Sequence, residues 1–178
     1  MNLLLLYDRI WQKLKRTYRN AVFRAKTGYH ANLVGSITLI NKNLKIGKNV
    51  TFYPDVMLFG DGLIEIGDNV DLGNGTVIYA SKNGGGVKIG DNTMIAAQSY
   101  IIDTDHGIRA GELMRKQANT VSSVSIGEDV WIAAGCKILK GSQIGNGAII
   151  GASSVVKGTI PECAIAVGIP AKVIKYRE

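Results

Sequence analysis

Residues 126–156 read IGEDVWIAAGCKILKGSQIGNGAIIGASSVV, and every sixth residue, from Ile126 through Ile132, Ile138, Ile144 and Ile150 to Val156, is aliphatic. The same step continues toward the N-terminus with three interruptions: Ile101, Ile95 and Ile89; then Ile78, Leu72 and Ile66; then Leu58, Phe52, Ile46, Ile40 and Val34. All seventeen positions are apolar and twelve are isoleucine, in a chain that is 46% hydrophobic overall, so composition alone does not produce the step. Two residues before many of these anchors stands a second small or β-branched residue: Val50, Val70, Thr93, Val130, Cys136, Ser142, Ala148 and Ser154. A spacing of two puts both on one face of a short strand. Gly-Asp-Asn and Gly-Asn-Gly segments between the strands supply residues that tolerate positive φ. Two inward positions in every six residues suit a triangular prism with one strand per side and three hexapeptides per coil, whose stacked coils bury columns of isoleucine. The predicted fold class is an all-β solenoid.

The three interruptions mark insertions. Leu58 to Ile66 has two extra residues, and Ile78 to Ile89 has five, with Gly84-Gly85-Gly86 among them. The step from Ile101 to Ile126 is 25, which reads as one 18-residue coil plus seven. Solenoid insertions emerge as loops and often carry function. The longest, about 103–123, opens with Asp103-Thr104-Asp105-His106-Gly107.

Before residue 31 the period changes. Leu3, Leu6, Tyr7, Ile10, Trp11, Leu14, Tyr18 and Val22 recur at steps of three and four, which predicts an amphipathic helix over about residues 2–26 with a basic opposite face. The expected organisation is therefore a helical segment, 1–30, and a solenoid domain, 31–178. Residues 168–177 look like a strand and basic tail that leave the prism. The formal charge of +7 is divided unevenly: residues 1–30 hold seven basic residues against Asp8 alone, whereas the rest holds 14 basic and 13 acidic residues. A nearly neutral body without stacking aromatics or zinc-finger spacing speaks against a nucleic-acid partner. The basic helix is expected either to contact a membrane surface or to cap the open end of the prism. Cys136 and Cys163 form no disulfide framework, and the leading apolar run is too short for a signal segment or a span. These features suit a cytoplasmic setting, at the inner face of the membrane if the helix binds lipid.

The chain has two histidines. His30 stands in no recognisable motif, while His106 lies in the long insertion just after Asp103 and Asp105. An imidazole takes a hydroxyl proton at neutral pH, and a carboxylate can fix its tautomer, so His106 is the candidate general base, with Asp103 and Asp105 as candidate orienters. Cys136 sits at an inward position and reads as a small core residue rather than a nucleophile.

The run from Ile126 to Val156, followed by Ile160-Pro161 and by Gly168-Ile-Pro-Ala-Lys-Val-Ile, resembles the C-terminal part of the maltose, galactoside and nodulation-type O-acetyltransferases. It is similar also to capsule and lipopolysaccharide O-acetyltransferases, and the likeness covers roughly residues 60–178. The resemblance implies a left-handed parallel β-helix of hexapeptide repeats, a handedness that general crossover rules would not have suggested. It also implies a homotrimer with sites between subunits, acetyl-CoA as cosubstrate and no metal. His106 matches the family's catalytic histidine. The family's CoA contacts fall on Trp131, Ala134, Ala152, Lys157 and Lys175, although Lys157 stands where these enzymes often carry threonine. The acceptor-side asparagine falls at Gly75 with Asn74 beside it, and the acidic N-terminal sugar contact has no equivalent.

The expected function is transfer of acetyl from acetyl-CoA to a hydroxyl of a sugar or glycan of capsule, exopolysaccharide or lipopolysaccharide type. N-acetylation of an amino-sugar nucleotide and acetylation of an antibiotic remain open, with a non-catalytic scaffold more remote. A zinc lyase on the same prism would need three converging histidines.

Overall fold

The computed structural model describes residues 3–178 and shows a left-handed parallel β-solenoid of about seven coils preceded by one helix. The strands of the coils pair in parallel with those one coil away, giving three ladders that form the faces of a prism. Leu72 pairs with Phe52 and Ile95 on the first face, Ile101 with Ile78 and Ile138 on the second, and Ile126 with Ile89 and Ile144 on the third. These side chains fill the prism and are almost completely buried. Each such side chain contributes about 2 kcal/mol by leaving water. The second inward set is buried as well: Val50, Val70, Thr93, Val130, Cys136, Ser142, Ala148 and Ser154 are at most 1% exposed. Where this set is polar, the hydroxyls bond carbonyls of the wall, as Thr93 Oγ1 does to Gly127 O at 2.9 Å and Ser142 Oγ to Val156 O at 3.1 Å.

The coil corners differ in a way that places the functional region. Six residues separate successive inward side chains from first face to second (Leu72 to Ile78, Ile132 to Ile138) and from third face to first (Ile66 to Leu72, Ile126 to Ile132). These two edges hold their period through left-handed residues such as Asn49, Asn69, Asn92 and Asp129 on one and Asp55, Gly75, Gln98 and Ser153 on the other. All irregularity falls on the third edge, between the second and third faces. Ile78 to Ile89 and Ile101 to Ile126 each cross this one corner. The 25-residue step therefore contains no extra coil, contrary to the expectation from length: its whole surplus leaves the prism as a single loop.

A second correction concerns the first coil. The inward residues there are Leu33 and Leu39, which pair with Phe52 and Leu58, while Val34 and Ile40 are 41% and 62% exposed. The corner after Leu39 carries one extra residue, and buried Asn41 occupies it, donating from Nδ2 to Gly62 O and accepting Asn43 N–H on Oδ1. A six-residue step counted back from Ile46 thus lands one position late.

The C-terminus also departs from expectation. Ala171–Tyr176 does not leave the prism but turns back and pairs antiparallel with Ala164–Gly168. Arg177 fastens it, with Nη1 2.9 Å from both Asp129 Oδ2 and Gly147 O.

Helix α1 spans Leu3–Thr27. Asn2, the expected start, lies outside the described residues. Arg24 and Lys26 suit its C-terminal dipole, and Gly28, at φ 78°, ends it by donating its N–H to Arg24 O at 2.8 Å. Phe23 is buried with its ring 5.6 Å from that of Phe52.

Candidate active site

The loop that carries His106 rises from the variable edge on a two-residue antiparallel ladder, Thr104 opposite Val121 and Asp105 opposite Thr120. Lys140, on the corner of the next coil, reaches both of its strands, with Nζ 2.6 Å from Thr120 Oγ1 and 3.3 Å from Asp105 Oδ2. The pairing is half exposed, so its role is to aim the ladder rather than to supply much stability. Asp105, His106, Ile108, Thr120, Leu139, Lys140 and Lys157 then line one groove along this edge. Lys157 comes from the corner one coil beyond Lys140. It carries no ion pair among the described residues, which leaves a positive charge in the groove.

Asp103 has a different place from the one expected. Its side chain is fully buried, and its carboxylate accepts the Ser81 N–H at 2.8 Å and the Gly86 N–H at 3.2 Å. Burial raises this carboxyl above the ordinary range, against the opposing pull of the two amides. Asp103 therefore locks the preceding insertion under the root of the His106 loop. Two glycines of that insertion are explained by what packs on them: a Cβ on Gly84 would strike the Asp103 carboxylate, and one on Gly85 would lie 2.5 Å from Ser123 Cβ. Of the two candidate orienters, Asp105 is the one that lines the groove with His106.

The loop has a small polar core of its own. Gln117 is buried, accepts Arg109 N–H at 2.8 Å, and donates to Arg109 O and Glu112 O, each at 2.9 Å. Gly107 packs against it, and a Cβ there would come within 2.6 Å of Gln117 Cβ. The residue after His106 is glycine because Gln117 occupies the space. Gln117→Ala leaves three loop polar groups without partners, a loss of about 1–3 kcal/mol for each that stays dry. We expect kcat to fall about 10–100-fold through misplacement of His106. The thermal midpoint of the prism should stay nearly unchanged, and faster hydrogen exchange should be confined to 104–121.

The remaining candidates lie elsewhere. Asn74, Ala97, Ala134 and Ala152 form one column on the edge between the first and second faces, where Asn74 O accepts Gln98 N–H and Ala134 O accepts Ser153 N–H, both at 2.8 Å. Asn74 Nδ2 bonds Pro54 O at 2.8 Å. The alanines leave the backbone of this edge open to a close approach. Trp131, 47% exposed, stands on the outer side of the first face, and Lys175 is exposed on its last strand, paired with Ile165. Of the five expected CoA contacts, only Lys157 shares an edge with His106. Ala134 and Lys140 stand at opposite ends of one side of the prism, separated by at most about 20 Å of extended chain. Lys140 and Gln117 escaped the sequence reading because a polar residue near a loop gives no sign of its partners. Cys136 is fully buried, with Sγ 3.1 Å from Gly151 O, and burial pushes its thiol upward, away from the reactive thiolate. No group of three or more His, Cys, Asp or Glu side chains among the described residues is placed to hold a metal ion.

Residues 123–158 match the family model described as bacterial transferase hexapeptide (six repeats), and residues 64–80 match the hexapeptide repeat of succinyl-transferase. The chain is 35% identical over 143 residues to Escherichia coli WbbJ, a protein assigned by name to lipopolysaccharide biosynthesis O-acetyl transfer, covering 75% of this chain and 71% of WbbJ. The chain belongs to the hexapeptide-repeat acyltransferases. It is also 40% identical over 119 residues to a Mycobacterium tuberculosis protein named as an acetyltransferase, covering 66% of this chain but only 39% of that longer relative. Among solved structures, a variant of AntD, an N-acyltransferase from Bacillus cereus in complex with dTDP and coenzyme A, superimposes with a TM-score of 0.73 at 25% identity, covering 83% of this chain and 82% of AntD.

Proposed function

We propose that the protein transfers acetyl from acetyl-CoA to a hydroxyl of a sugar or glycan, with His106 as general base. The observation that carries this reading is the placement of His106 in a groove on the variable edge, on a loop fixed by Lys140, Gln117 and the Asp103 lock. An unpaired ring nitrogen of His106 takes the proton of the acceptor hydroxyl. The oxygen then attacks the thioester carbonyl carbon, and the tetrahedral adduct collapses as the C–S bond breaks. The imidazolium returns its proton to the departing thiolate, so no enzyme-bound acyl group forms. Backbone N–H groups at a coil corner are suited to hold the transient oxyanion.

The edge of Ala134 and Ala152 suits the pantetheine arm of CoA, since small side chains expose backbone groups, and Asn74 on the same edge is an acceptor-side candidate. Trp131 and Lys175 beside it offer an apolar plate and a phosphate-directed charge. These residues and His106 occupy two different edges of one prism. A complete site therefore forms where the variable edge of one subunit meets the alanine edge of another, as a homotrimer provides. Support for a glycan acceptor comes from the name borne by WbbJ. The N-acyl reading draws on the N-acyltransferase AntD, crystallised with dTDP.

The two readings separate chemically. Labelled acetyl-CoA is offered with lipid-linked oligosaccharides, free sugars and amino-sugar nucleotides. We expect label to enter a lipid-linked or polymeric glycan in a form that hydroxylamine removes, as it does from an ester. Hydroxylamine-resistant label in an amino-sugar nucleotide would establish N-acetylation instead.

A further inference from the structure

Helix α1 presents an amphipathic surface, and the way it is attached decides which side is left over. Its contacts with the prism come from Arg19, whose Nη2 bonds Val34 O at 3.0 Å, from Asn20, whose Oδ1 accepts Leu33 N–H at 2.9 Å, and from buried Phe23. At about 100° per residue these positions share one side of the helix, and Tyr7, Ile10, Trp11 and Leu14 share the opposite side, while Tyr18 and Val22 farther along the stripe border the groove between helix and prism. The apolar face therefore turns away from the prism, and only the last turns of the helix serve as a cap. Tyr7, Ile10, Trp11 and Leu14 are 67%, 52%, 47% and 56% exposed. The pure cap reading would require this face to be inward, and it is not.

Charge identifies the occupant. Residues 1–30 carry seven basic residues and one acidic residue. Lys13 flanks the apolar face on one border, and Lys15 flanks it on the other with its Nζ 5.4 Å from the centre of the Trp11 ring. Lysines bordering an apolar stripe place their stems along it and their ammonium groups above it, which is the pattern of a helix lying in a headgroup layer. A second copy of the same helix would bring like charges together and gains nothing from this arrangement. No helix among the described residues is long and apolar enough to cross a membrane.

We propose that α1 docks the protein on an anionic phospholipid surface, its apolar face in the headgroup region and the prism held on the other side of the helix by Arg19, Asn20 and Phe23. This arrangement leaves the enzyme beside the bilayer without inserting the solenoid. The full chain is tested by co-sedimentation with vesicles of phosphatidylcholine alone and of phosphatidylcholine mixed with phosphatidylglycerol. Binding is expected on the mixed vesicles, weakening as salt rises. Trp11→Glu with Leu14→Glu should lower the partition about a hundredfold. Lys13→Gln with Lys15→Gln should lower it about thirtyfold on anionic vesicles, with little change on neutral ones. All four side chains are exposed, so neither pair perturbs the core. Absence of wild-type binding at low salt, equal binding to both vesicle types, or unchanged binding of the Trp11/Leu14 pair overturns the proposal. So does a fall in the sedimenting mass of that pair without lipid, which would make the face a contact between copies.

Discussion

His106→Ala is expected to lower kcat for acetyl transfer about 10²–10⁴-fold, while acetyl-CoA affinity changes by no more than about twofold. The imidazole is proposed to make the proton transfer but stands on a different edge from the residues proposed to hold CoA, so binding and chemistry should separate. Pre-steady-state turnover together with equilibrium binding of CoA measures both. Cys136→Ser provides the contrast. The thiol is buried at an inward position against Gly151 O, and serine already fills the equivalent place in the next coil at Ser154. This variant should keep most of its activity. If the cysteine change abolished turnover in a folded protein and the histidine change did not, direct attack by the acceptor would be the wrong mechanism.

The second large effect concerns assembly. Chains with Ala152→Trp should lose acetyl-CoA binding, since an indole on the alanine column covers the backbone proposed to hold the pantetheine arm. Chains with His106→Ala lack the proposed base. Each is expected to be nearly inactive alone. Equal amounts assembled together should regain about a quarter of wild-type activity, because in random trimers one interface in about four joins an intact loop to an intact alanine edge. Activity measured before and after co-assembly, with trimer mass followed by sedimentation, checks this. Activity that stays at the sum of the parents, in mixed trimers shown to form, would place base and CoA on one chain.

The reach of the sequence can be judged from particular elements. The six-residue step exposed the prism because each inward side chain is fixed by a local rule: alternation on a short strand, then a turn that tolerates left-handed backbone. The second inward set, from Val50 to Ser154, followed from the same rule and is buried throughout. The long insertion was visible as a break in the step, and His106 as a histidine within it. The first-coil register was not legible. Val34 and Ile40 are as apolar as Leu33 and Leu39, so hydrophobicity could not choose between neighbours, and only the pairing with Phe52 and Leu58 chose.

The sequence by itself determined the solenoid, its three-sided coil, the amphipathic helix and the segment from which His106 projects, since these depend on contacts a few residues apart or on a strict repeat. Tertiary structure alone decided that every insertion shares one edge, that Asp103 faces the glycine loop while Asp105 faces Lys140, and that Gln117 holds the loop together. It decided as well that α1 meets the prism with the side opposite its apolar face. The physical reason is common to all of these: they join residues from different coils or from different elements, and the energy that selects them, burial of a carboxylate between amides or of a carboxamide among carbonyls, exists only once the chain has closed around the group.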